Sequence, residues 1–315
     1  MFYRNLAFLL TLVVLFSCKQ NTLSIINLDE QEHLIPEGIA IDPQTHDIFL
    51  SSLLQDKVVR FDIQGNQIKN IIEPREKGYS SGVGMIIKNN LLWALAKVHN
   101  DNQSALFKIN IETNELIKRY TTKDSISNYF NDLAVDNQLN AYITDTQSHK
   151  IYKLNNQTEE IEIFLEHDQI KYPNGITISS DQTKLFIDSY TSGIRIVDIQ
   201  TKEIINNVHL PSAKKGIDGL KYYKNNLYAI INGSKNKDLH SLVKYSLSDN
   251  EKRILKKSNL IINHPLMNVP TTLDVANDNI YLLANSQMEN YDDSLKRIIN
   301  KDILTKTYII KYSLK

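Results

Sequence analysis

Six copies of one short pattern leave this chain few folds to choose from. PEGIAID from Pro36, FNDLAVD from Phe130, PNGITIS from Pro173 and IDGLKYY from Ile217 each set a polar, oxygen-bearing residue ahead of a turn and an alternating apolar strand. Counting the weaker copies, the equivalent positions fall at Glu37, Gly82, Asn131, Asn174, Asp218 and Thr271, spaced 45, 49, 43, 44 and 53 residues apart. That period is the length of a four-stranded propeller blade. Each copy continues into an aromatic-rich second strand: DIFLSS at Asp47, LLWALA at Leu91, AYITDT at Ala141, KLFIDS at Lys184, NLYAII at Asn226 and NIYLLA at Asn279. A third strand follows, ending in KVVRFDI, ALFKINI, KIYKLNN, GIRIVDI, LVKYSLS and YIIKYSL. Period-two alternation with β-branched and aromatic enrichment marks a strand at each place. The expected fold is all-β, a six-bladed β-propeller with four-stranded blades.

The last repeat stops after its third strand, at Lys315. TLSIINL, from Thr22 to Leu28, alternates correctly and has no other home, so it is expected as the outer strand of the sixth blade. An N-terminal strand there closes the ring and removes an exposed edge. Antiparallel order then brings the loops between second and third strands to the face where the inner strands begin. These roof loops are Lys97 to Ser104, Asp145 to His149, Ser189 to Gly193, Asn232 to His240 and the long Asn285 to Lys306. Within the last, Leu295, Ile298, Ile299 and Leu304 recur at roughly helical spacing, which predicts either a short amphipathic helix over the pocket mouth or a disordered insertion.

The first residues read differently. Arg4 precedes an apolar run from Leu6 to Phe16, then Ser17 and Cys18, the only cysteine of the chain. The run is too short to span a bilayer and has the order of an export signal. Leu15-Phe16-Ser17-Cys18 resembles the bacterial lipoprotein lipobox, which implies a signal peptide over 1–17, a lipidated Cys18 and a mature propeller over 18–315. The chain is then expected in the bacterial cell envelope, extracytoplasmic and anchored to a membrane through Cys18. Lys19 gives no retention signal of the aspartate type for the inner membrane. The competing reading is a free buried thiol after an ordinary hydrophobic helix. With one cysteine no disulfide is available, and stability must come from the core. Formal charge is zero and no basic stripe is present, so no nucleic-acid partner is expected; the protein reads as a monomer.

Two carboxylates and two amides, at Glu37, Asp218, Asn131 and Asn174, make a hard-cation ligand set whose charge cancels one divalent ion. Calcium is the first choice on hardness, with magnesium, manganese and zinc also able to occupy an oxygen site. The eight histidines show no paired spacing of a zinc motif. Ser80, Ser81 and Ser189 lack a nucleophile-elbow context. Around the expected mouth, His99 and His149 are either proton-transfer residues or solvated loop histidines. Asp145 and Asp188 end second strands on the same face, as groups orienting Asn131 and Asn174 or as turn formers. Tyr190 lies in a roof loop beside them, and Thr271 offers a hydroxyl at the sixth axial position. Trp93 and the tyrosines are most simply blade-packing residues.

At these stretches the chain resembles the senescence-marker-protein and gluconolactonase family, with its paraoxonase and diisopropyl-fluorophosphatase-like relatives. The likeness pairs PEGIAIDP with DKVVRFD, FNDLAVD with AYITDT, PNGITIS with LFIDS and GIRIVD, and IDGL with NLYAI, in family order from about Pro36 to Leu314. The resemblance implies an axial divalent metal on Glu37, Asn131, Asn174 and Asp218, although in some relatives the counterpart of Asn131 touches substrate or a bound water instead. It also implies Asp218 as general base, or as ligand alone, in hydrolysis of a lactone or ester as small-molecule substrate. Two positions depart from the family. Ser81-Gly82-Val83-Gly84 carries no axial arginine or histidine, and Thr271-Thr272 supplies only hydroxyls. The rival class is a non-catalytic extracytoplasmic propeller that binds a ligand or a protein, in which the residue before each glycine only satisfies its turn.

Overall fold

The structure, a computed structural model, describes residues 22–28, 33–123, 127–206, 216–233 and 237–315. The expected signal segment and Cys18 lie outside them. Among the described residues no helix is long and apolar enough to cross a membrane.

Six antiparallel sheets follow the six repeats. Blade one is β2–β5 (Pro36–Ile41, Ile48–Ser52, Val58–Phe61, Gln67–Ile72) and blade two is β6–β9 (Tyr79–Lys88, Leu91–Val98, Ser104–Asn110, Leu116–Tyr120). Blade three is β10–β13 (Phe130–Val135, Ala141–Asp145, Lys150–Asn155, Glu160–Glu166). Among the described residues blade four has three strands, β14–β16 (Pro173–Ile178, Lys184–Ser189, Gly193–Asp198), and an isolated bridge from Val197 to Ile204. Blade five is β17–β20 (Ile217–Tyr223, Asn226–Ile231, Ser241–Leu247, Ile254–Ile262). Blade six combines β21 and β22 (Leu273–Ala276, Asn279–Leu283) with β25 (Tyr308–Ser313) and β1 (Leu23–Asn27). The N-terminal strand pairs with β25 in antiparallel register, Ile25 opposite Ile310, so both ends of the chain close the ring as expected.

The core lies between blades. Each second strand buries one aromatic ring at the same place: Phe49, Trp93, Tyr142, Phe186, Tyr228 and Tyr281. On four of them the cross-strand partner is basic and lies over the ring, as Arg60 on Phe49, Lys108 on Trp93, Lys153 on Tyr142 and Lys311 on Tyr281. The aliphatic stems cover the apolar edge while the charge faces the ring and keeps access to water.

The first strands are not regular. In five blades the register slips so that two residues face one: Glu37-Gly38 opposite Ser51, Asn131-Asp132 opposite Thr144, Asn174-Gly175 opposite Asp188, Asp218-Gly219 opposite Ile230, and Val83-Gly84 opposite Leu95. A bulge of this kind re-aims a side chain that would otherwise lie along the sheet. It also corrects one expectation. The axial position of blade two is Val83, one place beyond Gly82, because Gly82 pairs with Ala96 and, although the register also slips before it at Ser81, the two-against-one slip opposite Leu95 falls at Val83-Gly84. Packing agrees, since a Cβ on Gly38 would lie 2.0 Å from the Val83 carbonyl oxygen and one on Gly84 would lie 2.4 Å from that of Asn131. Each such glycine is needed because the next blade's inner strand passes against it.

The long connection between β22 and β25 is not an amphipathic helix. It forms a hairpin of β23 and β24 (Tyr291–Asp292 and Arg297–Ile298) and a short 3₁₀ turn at Lys301–Ile303. Asp292 accepts hydrogen bonds from the Ser294 and Leu295 amides at 3.1 Å, an Asx turn that competes with helix at the start of the segment. Leu295 and Ile299 end up exposed. The hairpin folds over blades one and two: the Tyr291 hydroxyl donates to the Leu53 carbonyl at 3.4 Å, and the Lys296 ammonium to the Ser81 hydroxyl.

Candidate axial site

The bulges deliver Glu37, Asn131, Asn174 and Asp218 to one pocket on the ring axis, and Thr271, just before β21, lines it as well. Side chains separated by up to 234 positions (271 − 37) therefore share a cavity of about 10 Å³, room for one water-sized occupant. Asp132 reaches the same pocket from its bulge. Two hydroxyls tie the inner strands together around it. Ser51 accepts from the Gly38 amide at 2.8 Å and donates to the Val83 carbonyl at 2.8 Å; Thr144 accepts from the Asp132 amide at 2.9 Å and donates to the Asn174 carbonyl at 2.7 Å.

Asp218 is held by two amides. Its Oδ1 accepts from Asn174 Nδ2 at 2.8 Å and its Oδ2 from Asn232 Nδ2 at 2.5 Å, while the same Asn232 nitrogen donates to the Pro270 carbonyl at 2.8 Å. Burial pushes the Asp218 carboxyl up to about 7 against these two hydrogen bonds, and the nearby Asp132 adds to the rise. Glu37 is 9% exposed, and its Oε2 is buried without a hydrogen-bond partner among the described residues. Burial, and then the Asp218 charge, hold its carboxyl well above the usual range. An orphaned carboxylate oxygen beside a second buried carboxylate is costly as it stands, and a cation between them removes the cost. The donor set therefore fits a hard divalent ion. Asn174 would use its carbonyl oxygen, the opposite end of the amide that binds Asp218. Among the described residues no three His, Cys, Asp or Glu side chains form a ligand cluster, so any such site depends on the asparagines.

Other expected residues sit further out. Asp145 is fully buried and accepts from the Tyr129, Gln147 and Ser148 amides, each at 3.0 Å, so it caps its turn and fixes the chain just before Asn131. His149 packs edge-on against Tyr172, with ring centroids 4.3 Å apart, and Nδ1 accepts from the Tyr172 amide at 3.1 Å; it lines an outer cavity of about 350 Å³ away from the axis. His99 lines a different cavity of about 260 Å³ on the roof face, with Lys97 and Lys296. Asp188 stands at the place of Ser51 and Thr144 in its blade, fully buried, with neither oxygen partnered among the described residues. Burial and the Asp218 charge push it well up. Tyr190 is partly exposed, with its hydroxyl close to Gly233.

Three participants escaped the sequence reading: Asn232, Tyr129 and Lys221. Asn232 directly follows the second strand of blade five, one place beyond the register position of Asp145, and nothing in its spacing marked it. Tyr129 precedes the Asn131 repeat directly. Its ring lies under the Lys97 ammonium, 5.2 Å from the centroid, and burial, then the Glu37, Asp293 and Asp218 charges, hold its hydroxyl well above its ordinary pKa.

Six such blades around a central channel make the chain a six-bladed β-propeller. The family is defined further. The SMP-30/Gluconolactonase/LRE-like region matches residues 35–228, more than half of the chain, and the protein belongs to that family. No curated protein matches. Among solved structures the chain is similar to a gluconolactonase from Xanthomonas campestris, at 13% identity over 88% of this chain and 86% of that one, with a TM-score of 0.57. It is also similar to regucalcin, a calcium-binding protein from Agrobacterium tumefaciens, at 13% identity over 93% and 96%, with a TM-score of 0.61. A virginiamycin B lyase from Staphylococcus aureus aligns at 12% identity over 94% and 100%, with a TM-score of 0.62. At such identities these likenesses bear on the fold, and the site has to be argued from its own residues.

Proposed function

We propose that this protein is a divalent-metal-dependent hydrolase of the gluconolactonase type, acting on a lactone or related ester at the axial pocket. The observation that carries the reading is the meeting of Glu37, Asn131, Asn174 and Asp218 in one small pocket, with a buried Glu37 oxygen left unpartnered. Those four residues would hold the ion, calcium first. Bound there, a hard cation supplies a Lewis acid for a carbonyl oxygen.

The chain's own groups do the rest. Asp218 is the proton acceptor for attacking water, and the two amides of Asn174 and Asn232 fix which of its lone pairs remain for that role. Tyr129 stays protonated beside two carboxylates and so presents a hydroxyl that can donate to a substrate oxygen at the mouth. The hairpin at Tyr291–Ile298 narrows the approach over blades one and two and limits bulk water. Regucalcin's description as calcium-binding and the Xanthomonas protein's as a gluconolactonase support this choice of cation and substrate.

A screen of sugar lactones, aryl esters and phosphotriesters with added calcium tests it. Turnover of a lactone that needs the ion and disappears in a folded Asp218→Asn protein is the expected result. Ion binding without turnover of any of these substrates would make the propeller a binding protein instead. We further propose an extracytoplasmic, lipid-anchored location, on the lipobox-like residues ending at Cys18. Cys18→Ala should move the protein out of the membrane fraction, and an unchanged distribution would contradict the anchor.

A further inference from the structure

Below the pocket, three residues beyond Asp218 on β17, Lys221 sends its ammonium across the ring axis. Nζ lies 3.2 and 3.4 Å from the two oxygens of Asp132, which belongs to blade three while Lys221 belongs to blade five. Both side chains are 8% exposed. Asp274, on the neighbouring inner strand of blade six, holds the place opposite Tyr281 that Lys221 holds opposite Tyr228, so the two stand at one level of the axis. Burial raises the Asp274 carboxyl to about 6, and Lys221 is the strongest influence opposing that rise. The Asp274 Oδ2 also accepts the Ile41 amide at 2.8 Å. Among the described residues Asp132 has no other ion-pair partner. A buried ammonium thus pairs with Asp132, which also reaches the pocket above, and stands level with Asp274, while among the described residues no ammonium pairs with Glu37 or Asp218.

We infer that Lys221 is a built-in cation, which fills the lower cation position of the axis and confines divalent-ion binding to the upper level, one ion per chain. This rests on the reading of the upper pocket as a divalent-ion site. Without the ammonium, the Asp132 and Asp274 carboxylates would be left near the axis as hard oxygen donors with nothing to balance them, a place where a second ion would bind. Lys221 acts through Asp132 and touches no substrate, so it is a positioning residue.

The test is calcium stoichiometry by elemental analysis and calorimetric titration of the full domain. Wild type should hold one ion, and Lys221→Met should hold two, with its melting temperature below wild type in chelator and recovered by calcium. The double variant Asp132→Asn, Lys221→Met should return to one ion. Asp132→Asn alone, which takes from the Lys221 ammonium its ion-pair partner and leaves it beneath the site, should weaken the single ion at least tenfold. If Lys221→Met does not fold, the comparison of Asp132→Asn with wild type and with the double variant carries the test. A folded Lys221→Met that holds one ion at wild-type affinity, or an Asp132→Asn with unchanged affinity, overturns the inference. A wild type that takes up no ion overturns the reading of the upper level instead, while a gain from none to one in Lys221→Met would still support the role of Lys221.

Discussion

The axis carries two acidic levels that differ in one respect. At the upper level Glu37 and Asp218 lie together with amides, hydroxyls and the edge of Asp132 around them, no ammonium pairs with either among the described residues, and one Glu37 oxygen has no partner among them. At the lower level the ammonium of Lys221 pairs with Asp132, and its charge also opposes the rise of the Asp274 carboxyl. Both levels bury negative charge, which costs several kcal/mol per ion when unbalanced, on the order of 3–5 kcal/mol for a broken pair. The lower level is balanced by the chain itself. The upper level is not, and that asymmetry is what points to a cation from outside.

The sharpest way to break the comparison is to remove charge from the upper level only. Asp218→Asn keeps the shape of the side chain and deletes one of the two carboxylates, so calcium affinity measured by titration should fall by roughly 100-fold or more. A fall of less than about threefold would mean that Asp218 is not a ligand. Asn232→Ala is expected to do less. It removes the amide that fixes Asp218 Oδ2 without touching the donor set, and an outer partner of this kind is worth about 10-fold in affinity.

The smallest effect should come from the lower level and should appear in stability rather than in ion binding. The Asp274 carboxyl is pushed up to about 6, above its ordinary value, so the folded chain holds that proton more tightly than the unfolded chain does. Its contribution is therefore most favourable at low pH and is lost as pH rises from about 4 through about 6. In chelator, Asp274→Asn should flatten the decline of the melting temperature across that window and be more stable than wild type at neutral pH by about 1–3 kcal/mol. Calcium affinity should stay as in wild type. A parallel shift at all pH values would show that Asp274 does not titrate there.

The repeat and its chemistry were legible because a propeller imposes the same local solution on every blade. A bulge needs a small residue where the next inner strand passes, and the residue before it is turned to the axis, so the sequence shows a polar residue and then glycine at Glu37-Gly38, Asn174-Gly175 and Asp218-Gly219. The N-terminal strand was legible for a related reason, since the last blade lacked one strand and TLSIINL had the right alternation. Blade two misled because two glycines alternate there. Gly82 and Gly84 fit the pattern equally in sequence, and only the approach of Gly38 to the Val83 carbonyl decides between them. The hairpin was misread because helical spacing of Leu295, Ile298 and Ile299 counts for little where an aspartate caps a tight turn at the start of the segment. Lys221 could not be read at all. A lysine three places beyond a bulge looks like a solvated strand residue, and its meaning depends on Asp132, 89 positions earlier and two blades away.

The most direct test is elemental analysis of the purified domain, as wild type and as Glu37→Gln, after dialysis against trace calcium. One stoichiometric divalent ion in wild type, lost in a Glu37→Gln protein that keeps its β-sheet circular dichroism, is the predicted result. No bound ion in wild type, or an ion retained at full occupancy in the variant, would contradict the claim that the unbalanced carboxylates of the upper level exist to hold a cation.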